Sequence, residues 1–304
     1  MVIRSFEALQ AAMVTRPAMR LAVAGAEEPS VIAGVVAGFA AGLLAQAVLT
    51  GRAEAIAPQI PADLASRIRI LPAASAAEAA ALAVAEVRAG RADVLMKGTV
   101  DSAAYLRAVV DRETGIRAGG VLSNVTLAEM PSVPRLIGAT DNGIVPLPTL
   151  DQKRAMLLNA LPLFRGLGLA EVRVAAIAAS EKVSDRQPAT VDAAALAQES
   201  RDGALPGLIV DGPFGYDVAL SEKAAAAKGL AGSPVAGKAD LILFPNLESG
   251  NATVKAWKLH GQAKTGSLVL GATVPVLLNS RSDGPDRRVL GLVMAQAVRA
   301  GMGL

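Results

Sequence analysis

The 304-residue chain has no cysteine and one histidine, His260, which removes disulfides, thiolate nucleophiles and cysteine metal sites and leaves too few ligands for a histidine cluster or triad. Thirty basic residues against 27 acidic give a net charge of +3, too small an excess to argue for nucleic acid, and no basic run of five occurs. With 52% hydrophobic residues and only 3% aromatic, the core is built from Ala, Val, Leu and Ile, and any chemistry must use Ser, Thr, Asp, Glu, Lys, Arg or backbone groups. The length suits two domains or one large one.

Arg4, Glu7, Arg16 and Arg20 interrupt the apolar core a signal peptide needs, so a cytoplasmic protein is expected. In chain order, 21–24 reads as a strand, 28–41 as a helix and 46–50 as a second strand. Residues 29–51 carry no charge, and Gly34, Gly38 and Gly42 recur every four residues, as in a membrane span. Gly42 reads as a helix stop, however, and QAVLT as a separate strand closed by Gly51, so a helix packed tightly on a sheet is expected and no membrane association. A strand over 68–71, an Ala-rich helix over 75–88, a strand over 93–96 and a helix over 102–112, capped by Asp101 or Ser102, continue the alternation. Strands 122–127 and 135–139 then follow with no helix between them, which marks a domain boundary. Helix 151–164, strand 172–178, helix 191–199, strand 208–210, helix 220–228, strand 241–244 and helix 251–262 resume the pattern. Alternation of this kind predicts an α/β fold with mostly parallel sheets.

The last part is the most informative. Val274, Val276, Leu277 and Leu278 form a short apolar run, the mark of a strand buried on both faces. Asn279, Ser280, Arg281, Ser282, Asp283 and Gly284 follow, then Pro285 at a helix start. A hydroxyl, a guanidinium and the carboxylates of Asp283 and Asp286 thus lie between a buried strand and a helix N-terminus, where open α/β sheets bind ligands. Arginine there favours a planar anion, phosphate above all. Taken alone, the loop reads equally well as a solvated turn. Three more stretches have the same ambiguity. Lys97-Gly98-Thr99, with Arg107 one to two turns into the next helix, can converge on an anion or be a surface cap and a solvated helix residue. Asp211-Gly212-Pro213 with Tyr216-Asp217 can be an ordinary turn with Asp217 as N-cap. The run 232–240 leads through a strand to Asn246–Asn251, which puts backbone N–H groups at a helix start. No GxGxxG follows the first strand and no GxxxxGK[ST] occurs.

The run DGPFGYDVALSEKAAAAKGLAGSPVAGKADLILFPNLESGNATVK over 211–255, and the later Ser280-Arg281 pair, resemble the phosphate acetyltransferase and phosphate butyryltransferase family. MKGTVDSAAYLRAVV, over 96–110, is similar to the butyryltransferase-like branch. The resemblance covers most of the chain from about residue 93. It implies reversible transfer of an acetyl or short-chain acyl group between coenzyme A and inorganic phosphate. It also implies two α/β domains around a cleft, of the isocitrate/isopropylmalate dehydrogenase-like kind, with the final segment returning to the first domain. The expected division is 1–121 with 270–304, and 122–269. A homodimer or larger homo-oligomer is implied, with no cofactor, coenzyme A being a substrate. The family's serine–arginine pair falls on Ser280 and Arg281, its helix arginine on Arg107, its KG on Lys97 and Gly98, and its GN on Gly250 and Asn251. Asp217 and Lys255, in the longest matching run, complete the expected substrate-binding set.

Acyl transfer from acyl phosphate to a thiol needs a base for the thiol proton, donors for the carbonyl oxygen and cationic forks for the phosphate. Ser280 and nearby N–H groups suit the second need, Arg281 and Arg107 the third, and no metal is required. The acetyltransferase branch has an aspartate seven residues after its serine, where this chain has Arg287. Asp283, at +3, resembles the butyryltransferase arrangement and is the expected base, with Asp286 in reserve. Two other readings compete: a dehydrogenase of the related fold, against which the single histidine counts, and an acyl-CoA-binding relic without its base. The preferred acyl chain stays open.

Overall fold

The computed structural model describes residues 2–278 and 284–304. The elements run α1 (Phe6–Met13), β1 (Met19–Ala24), α2 (Pro29–Ala40), β2 (Leu44–Gly51), α3 (Ala53–Ile56), two 3-10 turns, β3 (Ile68–Pro72), α4 (Ala76–Arg88), β4 (Val94–Lys97) and α5 (Ser102–Val110). They continue with β5 (Ser123–Met130), β6 (Val133–Thr140), α6 (Leu150–Gly166), β7 (Val172–Ile177), α7 (Pro188–Arg201), β8 (Leu208–Phe214), α8 (Tyr216–Leu220), α9 (Glu222–Ala227), β9 (Leu241–Leu243), α10 (Leu247–Leu259), β10 (Lys264–Leu270), β11 (Val276–Leu277) and α11 (Pro285–Gly301).

The chain divides into two compact units, one of Glu7–Gly120 with Gly266–Arg299 and one of Met1–Phe6 with Val121–Thr265 and Ala300–Leu304. In the first, β3, β2, β1, β4 and β11 lie side by side and all pair in parallel. Val276 of β11 also pairs antiparallel with Val269 of β10. Strands β1, β4 and β11 are apolar throughout their inner length, with Leu21, Val23, Val94, Leu95, Val276 and Leu277 at 0% exposure, as the run 274–278 implies for strands covered on both faces. In the second unit β6, β9, β7 and β8 pair in parallel, and β5 pairs antiparallel with β6 through the short turn at Pro131. A core of Ile137, Ala139, Ile242, Phe244, Val254 and Trp257 fills the space between these strands and α10.

The α/β reading holds, as does the split of the charge-free stretch into α2 and β2, with Gly42 at φ +72° between them. No helix among the described residues is long and apolar enough to cross a membrane. The glycine repeat has a packing cause. A Cβ on Gly34 would overlap the side chain of Arg288 in α11, and one on Gly38 would lie 2.7 Å from Leu292 Cδ1 and 2.8 Å from Leu44 Cδ1. The small residues therefore let α2 close onto α11 as well as onto the sheet. Capping is as the residues dictate: Asp101 Oδ1 accepts from Ala104 N–H at 2.8 Å at the start of α5, and Thr149 and Gln152 form a reciprocal capping box on α6.

Four expectations change. The helix over 220–228 shortens to α9, because Leu220 belongs to the preceding α8 and Ser221 caps α9 by accepting from Ala224 N–H at 3.2 Å. Gly215, not Asp217, stands at the N-cap of α8. The strand over 274–278 is confined to Val276–Leu277, since Pro275 has no N–H for the ladder and only its carbonyl accepts, from Leu95 N–H at 3.1 Å. Helix α1 and strand β10 come from stretches whose periodicity is too short to read.

Candidate active site

Register places one group of turns together. Ala24 pairs with Thr50 on one side and Lys97 on the other, and Leu277 pairs with Met96, so the carboxyl ends of β2, β1, β4 and β11 form one edge. The chain moves outward from β1 to β2 and then returns to the other side of β1 with β4. The crevice outside the carboxyl ends of β1 and β4 is thus a topological switch point, the usual ligand site of such sheets.

The turns at this edge are locked to one another. Gly98 N–H donates to Ala24 O at 2.9 Å and Thr99 N–H to Gly25 O at 2.7 Å. A Cβ on Gly98 would overlap Gly25 O, so only glycine allows this approach. Both amides are thereby committed to the protein. Lys97 is buried, and its Nζ donates to Val100 O at 2.9 Å and Gly98 O at 3.3 Å. It is neither a surface cap nor aimed at bulk solvent; it holds the turn that follows it.

A residue that sequence reasoning missed is central to this edge. Glu27 accepts from Thr99 Oγ1 at 2.6 Å and from Arg52 N–H at 3.2 Å, and its own carbonyl accepts from Gln59 Nε2 at 2.8 Å. One half-buried carboxylate thus joins the turns after β1, β2 and β4. The signal was available: Glu27-Glu28-Pro29 has the same strand, carboxylate, proline and helix order that singles out 279–286.

Arg107 is exposed and lines a groove of about 210 Å³ between α4 and α5 with Ala77, Ala104 and Asp111. It stands five residues into the helix, about 8 Å along its axis from Ser102. Lys97 is thus buried in its turn, and Arg107 opens on the groove. Two residues before Arg107, Tyr105 is fully buried and its hydroxyl donates to Leu277 O at 3.2 Å. Burial pushes the Tyr105 hydroxyl well above the ordinary tyrosine range. Leu277 ends β11, and Ser280, Arg281 and Asp283 follow it in sequence but lie outside the described residues. Beyond them, Asp286 is exposed in the first turn of α11, the position where a carboxylate complements the helix dipole.

The second unit gathers other candidates at the carboxyl ends of its own strands. The Asp141 carboxylate accepts from the N–H groups of Asn124 (2.7 Å), Gly143 (2.6 Å) and Ile144 (2.8 Å). Burial nevertheless raises its pKa, the backbone donors, with Val145 N–H among them, opposing the shift. Asn142 Oδ1 accepts from Asn124 Nδ2 at 2.7 Å and Thr126 Oγ1 at 3.0 Å. Helix α10 seats directly on this turn. Gly250 lies against Asp141 O, where a Cβ would overlap, and Asn251 Nδ2 donates to Asn142 O at 3.1 Å. The expected free amides at this helix start are partly used, since Leu247 N–H donates to Pro146 O and Ser249 N–H to Asn246 Oδ1, both at 2.9 Å. Lys255 is exposed one turn beyond Asn251 on the same helix face. Asp217 is elsewhere, exposed in the first turn of α8 beside the Lys228–Glu181 ion pair (2.6 Å). The long run over 232–240 is scaffold: Ser233 Oγ donates to Asp211 Oδ2 at 2.5 Å and accepts from Val235 and Ala236 N–H, and Asp240 pairs with Arg173 at 3.0 Å. Among the described residues no group of three His, Cys, Asp or Glu side chains could hold a metal ion.

Comparison with known proteins fits this arrangement. Residues 67–296 match the phosphate acetyl/butaryl transferase family. The chain is 36% identical over 300 residues to phosphate butyryltransferase from Clostridium beijerinckii, covering 98% of each chain. It is 37% identical over 218 residues to phosphate acetyltransferase from Thermotoga maritima, covering 72% of this chain and 74% of that one. The crystal structure of a branched-chain phosphotransacylase from Enterococcus faecalis superposes with a TM-score of 0.81 at 26% identity, over 92% of this chain and 99% of the other. The chain therefore belongs to the phosphate acetyl/butaryl transferase family.

Proposed function

We propose that the protein is a phosphate acyltransferase, moving an acetyl or short-chain acyl group reversibly between coenzyme A and inorganic phosphate through a ternary complex. The observation that carries this reading is the match to the family over 67–296, which includes the turn after β4 and runs past Ser280 and Arg281.

In the thiol-acylating direction the coenzyme A thiol gives its proton to Asp283, and the thiolate attacks the carbonyl carbon of the acyl phosphate. The carbonyl oxygen becomes an oxyanion, for which Ser280 is the donor. The bond from carbon to the phosphate oxygen then breaks, and phosphate leaves onto Arg281, with Arg107 as its second cationic contact. The reverse reaction follows the same path: phosphate oxygen attacks the thioester, the carbon–sulfur bond breaks and the thiolate is reprotonated. Asp286 is the reserve base. The amides of Gly98 and Thr99 donate to Ala24 O and Gly25 O, and Lys97 and Gly98 are proposed substrate-binding positions. Gly250, Asn251, Lys255 and Asp217 are proposed substrate-binding positions, Gly250 acting by close backbone approach. No cofactor enters the scheme. A cytoplasmic homodimer or larger homo-oligomer belongs to the same reading, which is preferred to an acyl-CoA-binding relic or a dehydrogenase.

Substitution separates the roles. Arg281→Ala and Ser280→Ala are expected to lower kcat/KM by roughly 10²–10³, with little recovery in Arg281→Lys, whose point charge cannot make a paired contact. Asp283→Asn is expected to lower turnover with coenzyme A by roughly 10²–10⁴. Full turnover with only an earlier thermal melt in Asp283→Asn would reduce that residue to a helix cap and move the base to Asp286.

A further inference from the structure

A second cluster of cations lies at the opposite edge of the first unit's sheet. Arg20, Arg67, Arg69 and Arg91 line one cavity of about 410 Å³, together with Gln46 and Ser66, over a floor that includes Leu21 and Val48. Arg20 begins β1 and Arg69 lies at the start of β3, so this is the amino end of the parallel strands. The turns at Gly25 and Gly98 are at the carboxyl end, about 15 Å away by the rise of a strand.

Each guanidinium is fixed by neighbours. Arg20 grips Asp93 through Nε (3.0 Å) and Nη2 (2.7 Å) and donates Nη1 to Gly90 O at 2.7 Å. Arg67 donates to Leu44 O at 2.6 Å and Ala45 O at 3.0 Å while stacking 4.5 Å above the Phe39 ring. Arg91 holds Glu86 through Nε (2.9 Å) and Nη2 (2.8 Å), and Arg69 reaches the same carboxylate through Nη2. Asp93 and Glu86 balance two of the four charges, and Arg299 adds another near Asp93 at 3.5 Å. The bonds of Arg67, Arg69 and Arg91 use Nε or Nη2, so Nη1 of each remains for a further acceptor. Preset forks lose little freedom on binding an anion, and three of them around one cavity call for more than one anionic group.

We propose that this cavity binds a small phosphorylated metabolite with at least two phosphate groups. The forked donors match phosphate oxygens, the volume suits a small molecule, and the apolar floor can take its uncharged part. The proposal does not rest on the acyl-transfer reading.

The test is calorimetric titration of inorganic pyrophosphate into the full chain, compared with Arg69→Gln and Gln46→Glu. Arg69→Gln leaves Glu86 gripped by Arg91. Gln46→Glu puts a carboxylate on an exposed wall position and removes no ion pair, so it serves if Arg69→Gln folds poorly. The expected result is pyrophosphate binding that each folded variant weakens at least about tenfold, the effect of losing or opposing one charged contact. The kcat/KM of acyl transfer and the ligand-free melt of Gln46→Glu should stay as in the wild type. Absence of pyrophosphate binding, or binding that Gln46→Glu leaves unchanged, would overturn the proposal.

Discussion

The Tyr105 hydroxyl donates to the Leu277 carbonyl at 3.2 Å, inside the first unit's core. This bond ties the helix that carries Arg107 to the strand that leads into Ser280 and Arg281. Position in the two elements is therefore coupled before any substrate arrives. Tyr105→Phe keeps the ring and removes only the donor, so a stability loss of about 1 kcal/mol is expected by denaturant titration. If the bond also aligns the two elements, kcat/KM should fall several-fold with the phosphate KM affected more than that of coenzyme A. A destabilised variant with unchanged kinetics would make the bond purely structural.

Glu27 makes a second prediction. Glu27→Ala removes the carboxylate that links the turns after β1, β2 and β4, leaving Thr99 Oγ1 and Arg52 N–H without that acceptor. Hydrogen bonds to a charged group contribute about 1.5–3 kcal/mol, so acyl transfer should fall by roughly ten- to hundredfold. Glu27→Gln keeps one acceptor oxygen, for Arg52 N–H, and its Nε2 can donate to the Thr99 hydroxyl, so it should recover part of the loss. Equal loss in both variants would instead point to a role for the negative charge.

Much of this was legible in the sequence, and the reasons are specific. Alternating strands and helices gave the α/β class because β1, β4 and β11 are buried on both faces and so read as unbroken apolar runs. Family membership was legible because the runs over 96–110 and 211–255 are long. What they do individually was not. Lys97 looks like an anion ligand in sequence, and the structure buries it with Nζ donating to the Val100 and Gly98 carbonyls, a tertiary contact no local pattern encodes. Ser233 and Asp240 sit in the most family-like run and turn out to hold loops and strand ends. Glu27 and Asp141 were passed over because each also acts on a group far along the chain, Thr99 72 residues from Glu27 and Asn124 17 residues from Asp141, and such contacts leave no periodic trace.

Asp141→Ala supplies a third prediction. The substitution leaves the N–H groups of Asn124, Gly143 and Ile144 without their acceptor, the first of them buried and the other two within reach of water. At about 1–3 kcal/mol for an unsatisfied buried donor, a loss of about 1–3 kcal/mol is expected in chemical denaturation. A loss below about 1 kcal/mol would mean that water replaces the carboxylate.

Acid titration supplies a fourth. The hydrogen bond from Arg91 holds the Glu86 carboxyl below its usual range against the effect of burial, and Arg69 adds to the lowering. The unfolded chain takes up this proton first as pH falls. The contribution is therefore complete above the unfolded carboxylate pKa, at about pH 5 and higher, and is lost as pH drops through the folded value. Glu86→Gln should show a flatter fall in stability between pH 5 and pH 3 than the wild type. Parallel curves would show that the two half-exposed guanidinia are screened too well to matter.

The most direct measurement is acyl phosphate formation from acyl-CoA and inorganic phosphate by the purified protein, run with acetyl-, propionyl- and butyryl-CoA and with NAD(P) controls. Phosphate-dependent release of coenzyme A matched by acyl phosphate, for at least one acyl chain and without NAD(P), is the expected result. No phosphate-dependent turnover with any of the three, or turnover only with NAD(P), would contradict the assignment.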